Sequence, residues 1–362
     1  MLKILLLGAT GAIGKEVASL LAEQDHEIHV TTRQAVPHYG TVRYIRGDAQ
    51  DDSFLHLLLR QNWDVIIDFM IYGTAKFGRR LDALLQASSQ YIFTSSCRVF
   101  AESVAPITER SPRILDVVGD ANYLATDEYA LAKARQEDLL RASSRASWTI
   151  IRPYITFGEG RLQLGPLEKE SWLYRALHGR SIVFCDVLMS KSTTITDASD
   201  VARMIAALAS NPTALGEDFN LSSPRPTTWG DVLSAYLDEL ELHLERRPTV
   251  ILQDLQTFCR TVRSVPQVMF DRLYHRCFDP TKIGELFDRN SVIDCRDALQ
   301  SRLRAQLLNG AFLPLDWRTE ALRDRATGEH ACLGEIAGIK PKLQYLGYRH
   351  IPAMAIKMVG RW

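Results

Sequence analysis

Through the first 155 residues, short apolar runs alternate with stretches in which apolar positions recur every three or four residues. That alternation is the signature of a parallel sheet covered on both faces by helices. Strands are predicted over residues 3–7, 27–31, 42–46, 65–70, 91–94 and 148–152, several of them almost wholly apolar, as a strand buried on both faces requires. Helices are predicted between them over residues 12–23, 53–60, 77–88 and 123–142. After Pro153 the pattern changes to loops, with helices near 172–178, over 199–210 behind the caps Asp197-Ala198-Ser199-Asp200, and over 229–240. Helical patterning dominates from Leu252, and residues 310–362 read as an irregular extension with scattered basic and aromatic residues. No internal repeat or low-complexity linker interrupts the chain.

The first chemistry lies where the first strand ends. Gly8-Ala9-Thr10-Gly11-Ala12-Ile13-Gly14 follows an apolar strand and opens an amphipathic helix, the context in which a glycine triplet signals a dinucleotide. Gly8 permits a sharp exit from the strand, Gly11 lets a pyrophosphate approach the backbone, and Gly14 allows close helix–sheet packing. Free N–H groups of Thr10, Ala12 and Ile13 would face the phosphates at the helix start. The competing use is a plain structural turn.

About twenty residues further on, the position that reads the adenosine ribose holds Thr32 followed by Arg33, with no carboxylate. Without that negative charge a 2′-phosphate is not repelled, and a guanidinium can pair with it, so NADP(H) is favoured over NAD(H). The competing uses of Arg33 are a solvated side chain, the commoner role of an arginine after a strand, and a cation stacked on adenine.

Tyr129 and Lys133, in Asp127-Glu128-Tyr129-Ala130-Leu131-Ala132-Lys133, stand four apart on a predicted helix and so project from one face. The same spacing also occurs as an ordinary surface pair. Thr94-Ser95-Ser96-Cys97-Arg98-Val99-Phe100 supports the chemical reading, because it puts small hydroxyls at the carboxyl end of a strand, where open α/β sheets bind ligands. A phenol gives up its proton only where a nearby positive charge stabilises the phenolate, and Lys133 supplies one.

Composition narrows the field. Lys plus Arg and Asp plus Glu are equal at 43 each, which leaves no net field for nucleic acid or an anionic membrane. The six cysteines show no metal spacing and read as buried free thiols, and the nine histidines show no paired ligand spacing, so no metal is expected. The start is too quickly broken by glycine for a signal peptide, and no apolar run is long enough to span a bilayer, so the expectation is a cytoplasmic protein without stable membrane insertion.

With these residues in place, the sequence resembles the short-chain dehydrogenase/reductase superfamily, in its extended branch: the NAD-dependent epimerase/dehydratase family that modifies nucleotide sugars. The resemblance spans about residues 1–245. It rests on Gly8, Gly11 and Gly14, the Asp48-Ala49 pair after the third strand, the Ser-Ser segment, Tyr129 with Lys133, and Arg152-Pro153 before Phe157-Gly158, with Thr194 to Val201 and Phe219 to Trp229 resembling the family's substrate-domain segments.

The resemblance implies an α/β fold, a Rossmann-type doubly wound parallel sheet with a smaller, mostly helical substrate-binding domain. The dinucleotide-binding domain is expected over 1–155, rejoined by segments near 190–225, with a substrate lid over 156–309 and a C-terminal extension over 310–362. Asp48 and Ala49 are implied to meet adenine, Tyr129 to act as acid/base, Lys133 to bind the nicotinamide ribose and Ser96 to bond the reacting oxygen.

Two departures shape the expected reaction. Dehydratases of this branch carry an Asp-Glu pair where this chain has Cys97-Arg98, so dehydration is disfavoured. Thr32 and Arg33 tip the reading towards an NADPH-dependent keto-sugar reductase, with an NAD-dependent epimerase as the alternative and a non-catalytic NADP sensor as a second. The fourth strand, with Asp68 where the family commonly has His and small residues, is also unusual, and Asp68 is open to a structural role.

Arg98, Arg152 and Arg161 are candidates for a nucleotide diphosphate, and Trp172 or Tyr174 for stacking, each against a packing role. Helices 77–88 and 123–142 would pair subunits if the chain forms the family's homodimer. Residues 350–362 suit either contact with a membrane surface or partner, or packing of a chain end on its own domain.

Overall fold

A computed structural model describes residues 1–38 and 40–351. The chain divides into two units. The first comprises Met1–Gly158, Thr193–Pro226 and His275–Cys295; the second comprises Glu159–Ser192, Thr227–Tyr274 and the chain from Arg296 onward.

The first unit is built on β1 (Lys3–Leu7), whose residues alternate between two cores. Ile4 and Leu6 join Val17 and Leu21 of α1 (Ala12–Glu23), together with Val201 and Ile205 of the helix Ala198–Leu208. Leu5 and Leu7 join Trp63, Phe77 and Leu84 on the opposite face. This period of two, with both sets apolar, is what a parallel strand covered on both sides demands.

Around β1 the sheet takes the order Glu217–Leu221, β6 (Trp148–Pro153), β5 (Ser88–Thr94), β4 (Trp63–Asp68), β1, β2 (Glu27–Thr32), β3 (Val42–Arg46), all parallel. The strand order reverses at β1, because β2 and β3 extend to one side and β4 returns on the other. Such a switch point opens a crevice at the carboxyl ends of the strands. Leu7 pairs with Asp68 there.

The fold is the α/β arrangement expected, with differences of detail. A seventh strand, Glu217–Leu221, was not legible: it begins with two carboxylates and buries only its last three residues, so its apolar run is too short to stand out. The helix predicted over 123–142 is two helices, Ala121–Leu124 and Tyr129–Arg141. Between them short polar side chains compete for backbone groups: Glu128 accepts from Ala130 N at 2.8 Å, and Asp127 takes the N–H and hydroxyl of Thr74. Finally, residues 310–351 are not irregular. They contain the helices Trp317–Thr327 and Ile339–His350.

In the second unit Trp172 is fully buried and stacks on Tyr236 at 4.4 Å, its Nε1 donating to the Leu162 carbonyl, which corrects its candidacy for stacking on a ligand. Tyr174 stacks on His178. The unit also holds a parallel strand pair, Ile182–Cys185 with Val250–Gln253, that the helical patterning masked. Its C-terminal helices are held by buried charge: Arg175 bonds Asp324 at 2.7 Å, Glu320 at 3.0 Å and Glu329 at 2.8 Å, and Tyr345 donates to Asp324 at 2.6 Å. The cysteines are free, but only Cys97 and Cys185 are buried, and Cys332 is exposed. No described helix is long and apolar enough to cross a membrane.

On β6, next to the edge strand, Arg152, 0% exposed, grips Glu137 through Nε (2.7 Å) and Nη2 (2.8 Å), and Nη2 also reaches Asp218 at 2.8 Å. Burial alone would raise the Asp218 pKa, but the Arg152 guanidinium, with hydrogen bonds from Arg152 and Arg141, holds it down at about 2 against an ordinary 3.8. A carboxylate whose folded value is depressed stabilises the fold fully above its unfolded value, and loses that contribution as pH falls through the folded one. Unfolding free energy is therefore expected to drop by about 2 kcal/mol between pH 4 and pH 2 from this group. Asp218→Asn should flatten that part of a urea-denaturation pH series.

Candidate functional site

The glycine-rich turn closes β1 in the manner its residues dictate. Gly8 has φ of +72°, and a Cβ there would run into the Met70 sulfur; its N–H donates to Thr31 Oγ1 at 3.0 Å. A Cβ on Gly14 would overlap the backbone of Ala9, so α1 can lie this close to the turn only with glycine at that position. Gly11 differs. It is the N-cap of α1, makes no side-chain cap, and a Cβ built on it meets no atom within 4 Å. The helix start beside Thr10, Ala12 and Ile13 thus pairs uncapped N–H groups with open space, which fits the diphosphate of a dinucleotide.

Two substitutions separate these roles. Gly11→Ala is expected to leave the melting temperature within about 2 °C while weakening dinucleotide binding at least about tenfold, because it fills ligand space only. Gly14→Ala should lose binding and also about 1–3 kcal/mol of stability, because the helix must move. Calorimetry and thermal melts on both variants test this.

At the end of β2, Thr32 is buried and its hydroxyl bonds Gln34, so it serves the turn, while Arg33, just beyond, is exposed. Asp48 is exposed and caps Gln50 N at 2.8 Å; Ala49 is buried behind it. The loop carrying both is fixed from below by Arg80, which donates to the Ala49 carbonyl at 2.9 Å and to Asp52 at 2.6 Å. Arg80 was missed by sequence reasoning, since an Arg on an amphipathic helix looks like any solvated one.

At the end of β5, Ser95 and Ser96 diverge. Ser95 donates to buried Glu137 at 2.5 Å; Ser96 caps the turn Cys97–Val99 by accepting from Arg98 N at 3.2 Å. Arg98 then lies with its guanidinium carbon 5.2 Å from the Tyr129 ring centre, and is held there by Glu128 at 2.7 Å. Lys133 sits one helical turn beyond Tyr129, its Nζ 6.0 Å from that ring and 2.7 Å from the Thr94 carbonyl. Ser96, Arg98, Tyr129 and Lys133 are thus linked through successive contacts at the carboxyl edge of the sheet.

Lys133 is 2% exposed, and burial drives its pKa down to about 8 against the opposing pull of Asp68 and Glu137. Asp68 is itself raised, chiefly by burial. It accepts from Tyr91 OH at 2.8 Å and Met70 N at 2.9 Å, so it braces the end of β4.

Of the three arginines considered for a diphosphate, Arg152 is corrected: its guanidinium is buried and committed to Glu137 and Asp218. Arg98 faces Tyr129, and Arg161 is an exposed residue of the second unit. The residue missed here is Glu137. Its sequence signal was its place four residues after Lys133, one turn further along the same helix.

A doubly wound parallel sheet with a glycine-rich first turn and a tyrosine–lysine pair at its carboxyl edge defines a dinucleotide-binding α/β protein of the short-chain dehydrogenase/reductase kind. The chain belongs to the NAD dependent epimerase/dehydratase family, whose profile it matches over residues 4–222. It is 25% identical over 250 residues to the chloroplast stem-loop binding protein of 41 kDa b of Arabidopsis thaliana, covering 64% of this chain and 62% of that protein. It is likewise 25% identical over 257 residues to a 2-alkyl-3-oxoalkanoate reductase of Stenotrophomonas maltophilia, covering 65% of this chain and 75% of the reductase. Among solved structures it shares its fold with a UDP-glucuronic acid 4-epimerase of Bacillus cereus bound to UDP-glucuronic acid and NAD, with a TM-score of 0.63, 18% identity, and coverage of 84% of this chain and 99% of the epimerase.

Proposed function

We propose that the protein is an epimerase of a nucleotide-activated sugar, in which a sugar hydroxyl is oxidised and the resulting ketone is reduced again on either face. The reading is carried by the cluster at the end of β5: Tyr129 on the first turn of its helix, with buried Lys133 beside it and Ser96 on the neighbouring loop.

Bound in the crevice, a nicotinamide dinucleotide would supply the hydride acceptor and donor. Gly8, Thr10, Gly11, Ala12, Ile13 and Gly14 would hold its diphosphate, Asp48 and Ala49 its adenine, and Lys133 its nicotinamide ribose. The chain's own work is proton management. Tyr129 takes the proton from the sugar hydroxyl as the carbon–hydrogen bond breaks, and returns it when the bond re-forms. Its anion is stabilised by Lys133, and Ser96 Oγ donates to the reacting oxygen. Cys97-Arg98 stands where a dehydratase would carry its second acid/base pair, and the neighbouring Glu128 carboxylate is tied up by Arg98, so dehydration is disfavoured.

The NAD in the family's description and the NAD bound by the Bacillus epimerase support the cofactor-retaining reaction. A second reading, NADPH-dependent reduction of a keto-sugar, is favoured by Arg33, which is exposed at the end of β2 with no carboxylate beside it.

Calorimetry with NAD(H) and NADP(H), with mass spectrometry of the denatured protein, separates the two. NAD retained through purification, together with interconversion of UDP-glucose or UDP-glucuronic acid and its 4-epimer, supports the epimerase. An empty site that prefers NADPH supports the reductase. Tight dinucleotide binding without turnover of any sugar nucleotide leaves a sensor, and sinks both.

A further inference from the structure

The helix Ile339–His350 packs on the rest of the second unit through Tyr345, which is buried, and through Tyr348. Its opposite side is unusual. Ile339, Leu343 and Leu346 recur at four- and three-residue spacing, so they form one ridge along the helix. They are 78%, 65% and 37% exposed. Exposed Lys340 flanks the ridge on one side and half-buried Lys342 on the other, a placement that follows from the 100° step between successive helical residues; Arg349, on the Lys342 side, is half-buried and donates through Nε to the Glu329 carbonyl at 2.9 Å.

Charge singles out the same segment. The whole chain balances 43 basic against 43 acidic residues, yet from Ile336 to its last residue it has no Asp or Glu at all. Over that stretch it carries Lys340, Lys342, Arg349, Lys357 and Arg361. Residues 352–362 lie outside the described residues, but their sequence continues the mixture, with Met354, Ile356, Met358 and Trp362 among the basic positions.

We propose that this outward face of the helix Ile339–His350 docks the protein on the surface of an anionic lipid bilayer. An aliphatic ridge between lysines lies in the plane of the interface, with its apolar side chains at the acyl boundary and its cations among the headgroups. Two other occupants fit less well. A nucleic acid offers phosphates to the lysines but nothing to a row of Ile and Leu at the centre of the patch. A second copy of the chain would meet the same basic charge and too little apolar area for a stable interface. The inference stands apart from the chemistry proposed above and survives its failure.

The test is co-sedimentation of the full-length protein with vesicles of phosphatidylcholine alone, or mixed equally with phosphatidylglycerol. Binding is expected to the mixed vesicles only, and to weaken as salt rises. Ile339→Glu with Leu343→Glu should lower vesicle affinity at least about tenfold, and each of Lys340→Gln and Lys342→Gln about fivefold. Both sets should melt like the parent, because Ile339, Lys340 and Leu343 are exposed and Lys342 is half-exposed.

The proposal is overturned if the protein stays in solution with both vesicle types, or if the ridge variants bind as well as the parent. It is equally overturned if the ridge variants convert a dimer to a monomer in sedimentation velocity, or if a stem-loop RNA binds and competes with the vesicles.

Discussion

Tyr129→Phe is expected to lower turnover by about a thousandfold or more while leaving the dinucleotide dissociation constant within about twofold. The phenol ring lies against Arg98 and near Lys133, and phenylalanine preserves that packing while removing the hydroxyl that the proposed reaction uses to exchange the substrate's proton. Lys133→Met should behave differently. Its ammonium is buried and bonds the Thr94 carbonyl, and in the proposed reaction it both stabilises the phenolate and holds the ribose. Its loss should therefore reduce turnover and dinucleotide affinity together. Single-turnover measurement of nicotinamide absorbance with calorimetry on the same preparations distinguishes the two patterns. Normal turnover in Tyr129→Phe would remove Tyr129 from the chemistry.

The second large effect is on stability. Glu137→Ala is expected to cost about 3–5 kcal/mol, since it removes the bidentate partner of a fully buried guanidinium and leaves it only the half-buried Asp218 carboxylate. Part of that loss reaches the site, because Glu137 also accepts from Ser95, the neighbour of Ser96. Replacing both partners with apolar residues, Glu137→Leu with Arg152→Met, should recover most of the stability, although Asp218 is left with Arg141 as its guanidinium partner. Urea denaturation of the three proteins measures this. A cost below about 1 kcal/mol for the single variant would mean that solvent reaches Arg152.

How much of this was legible varies residue by residue. The turn from Gly8 to Gly14 could be read because its constraint is local: one left-handed glycine and one helix start, both within a few residues of an apolar strand. Tyr129 and Lys133 could be paired because helical geometry fixes neighbours four apart. Arg98, Arg152 and Arg161 could not be told apart, because an arginine carries the same sequence signal whether it pairs inside a fold, covers a ring or meets solvent. Only the partners differ: Glu137 for Arg152, Glu128 and Tyr129 for Arg98. The strand Glu217–Leu221 was hidden for a related reason, since its identity comes from pairing with β6 rather than from its own short apolar run. Residues 310–351 looked irregular because their helices are anchored by buried ion pairs, and charged inward-facing positions break the apolar period on which helix recognition rests.

By itself, then, the sequence determined the α/β class, most of the sheet's strands, the glycine-rich turn and the tyrosine–lysine spacing, all of which depend on periodicity or on spacing within one element. The tertiary structure alone decided which charged groups are buried together, which helix was broken ahead of Tyr129, and which face of the last described helix was left uncovered. The energy of a buried charge is set by a partner from a distant part of the chain. No local pattern records that partner.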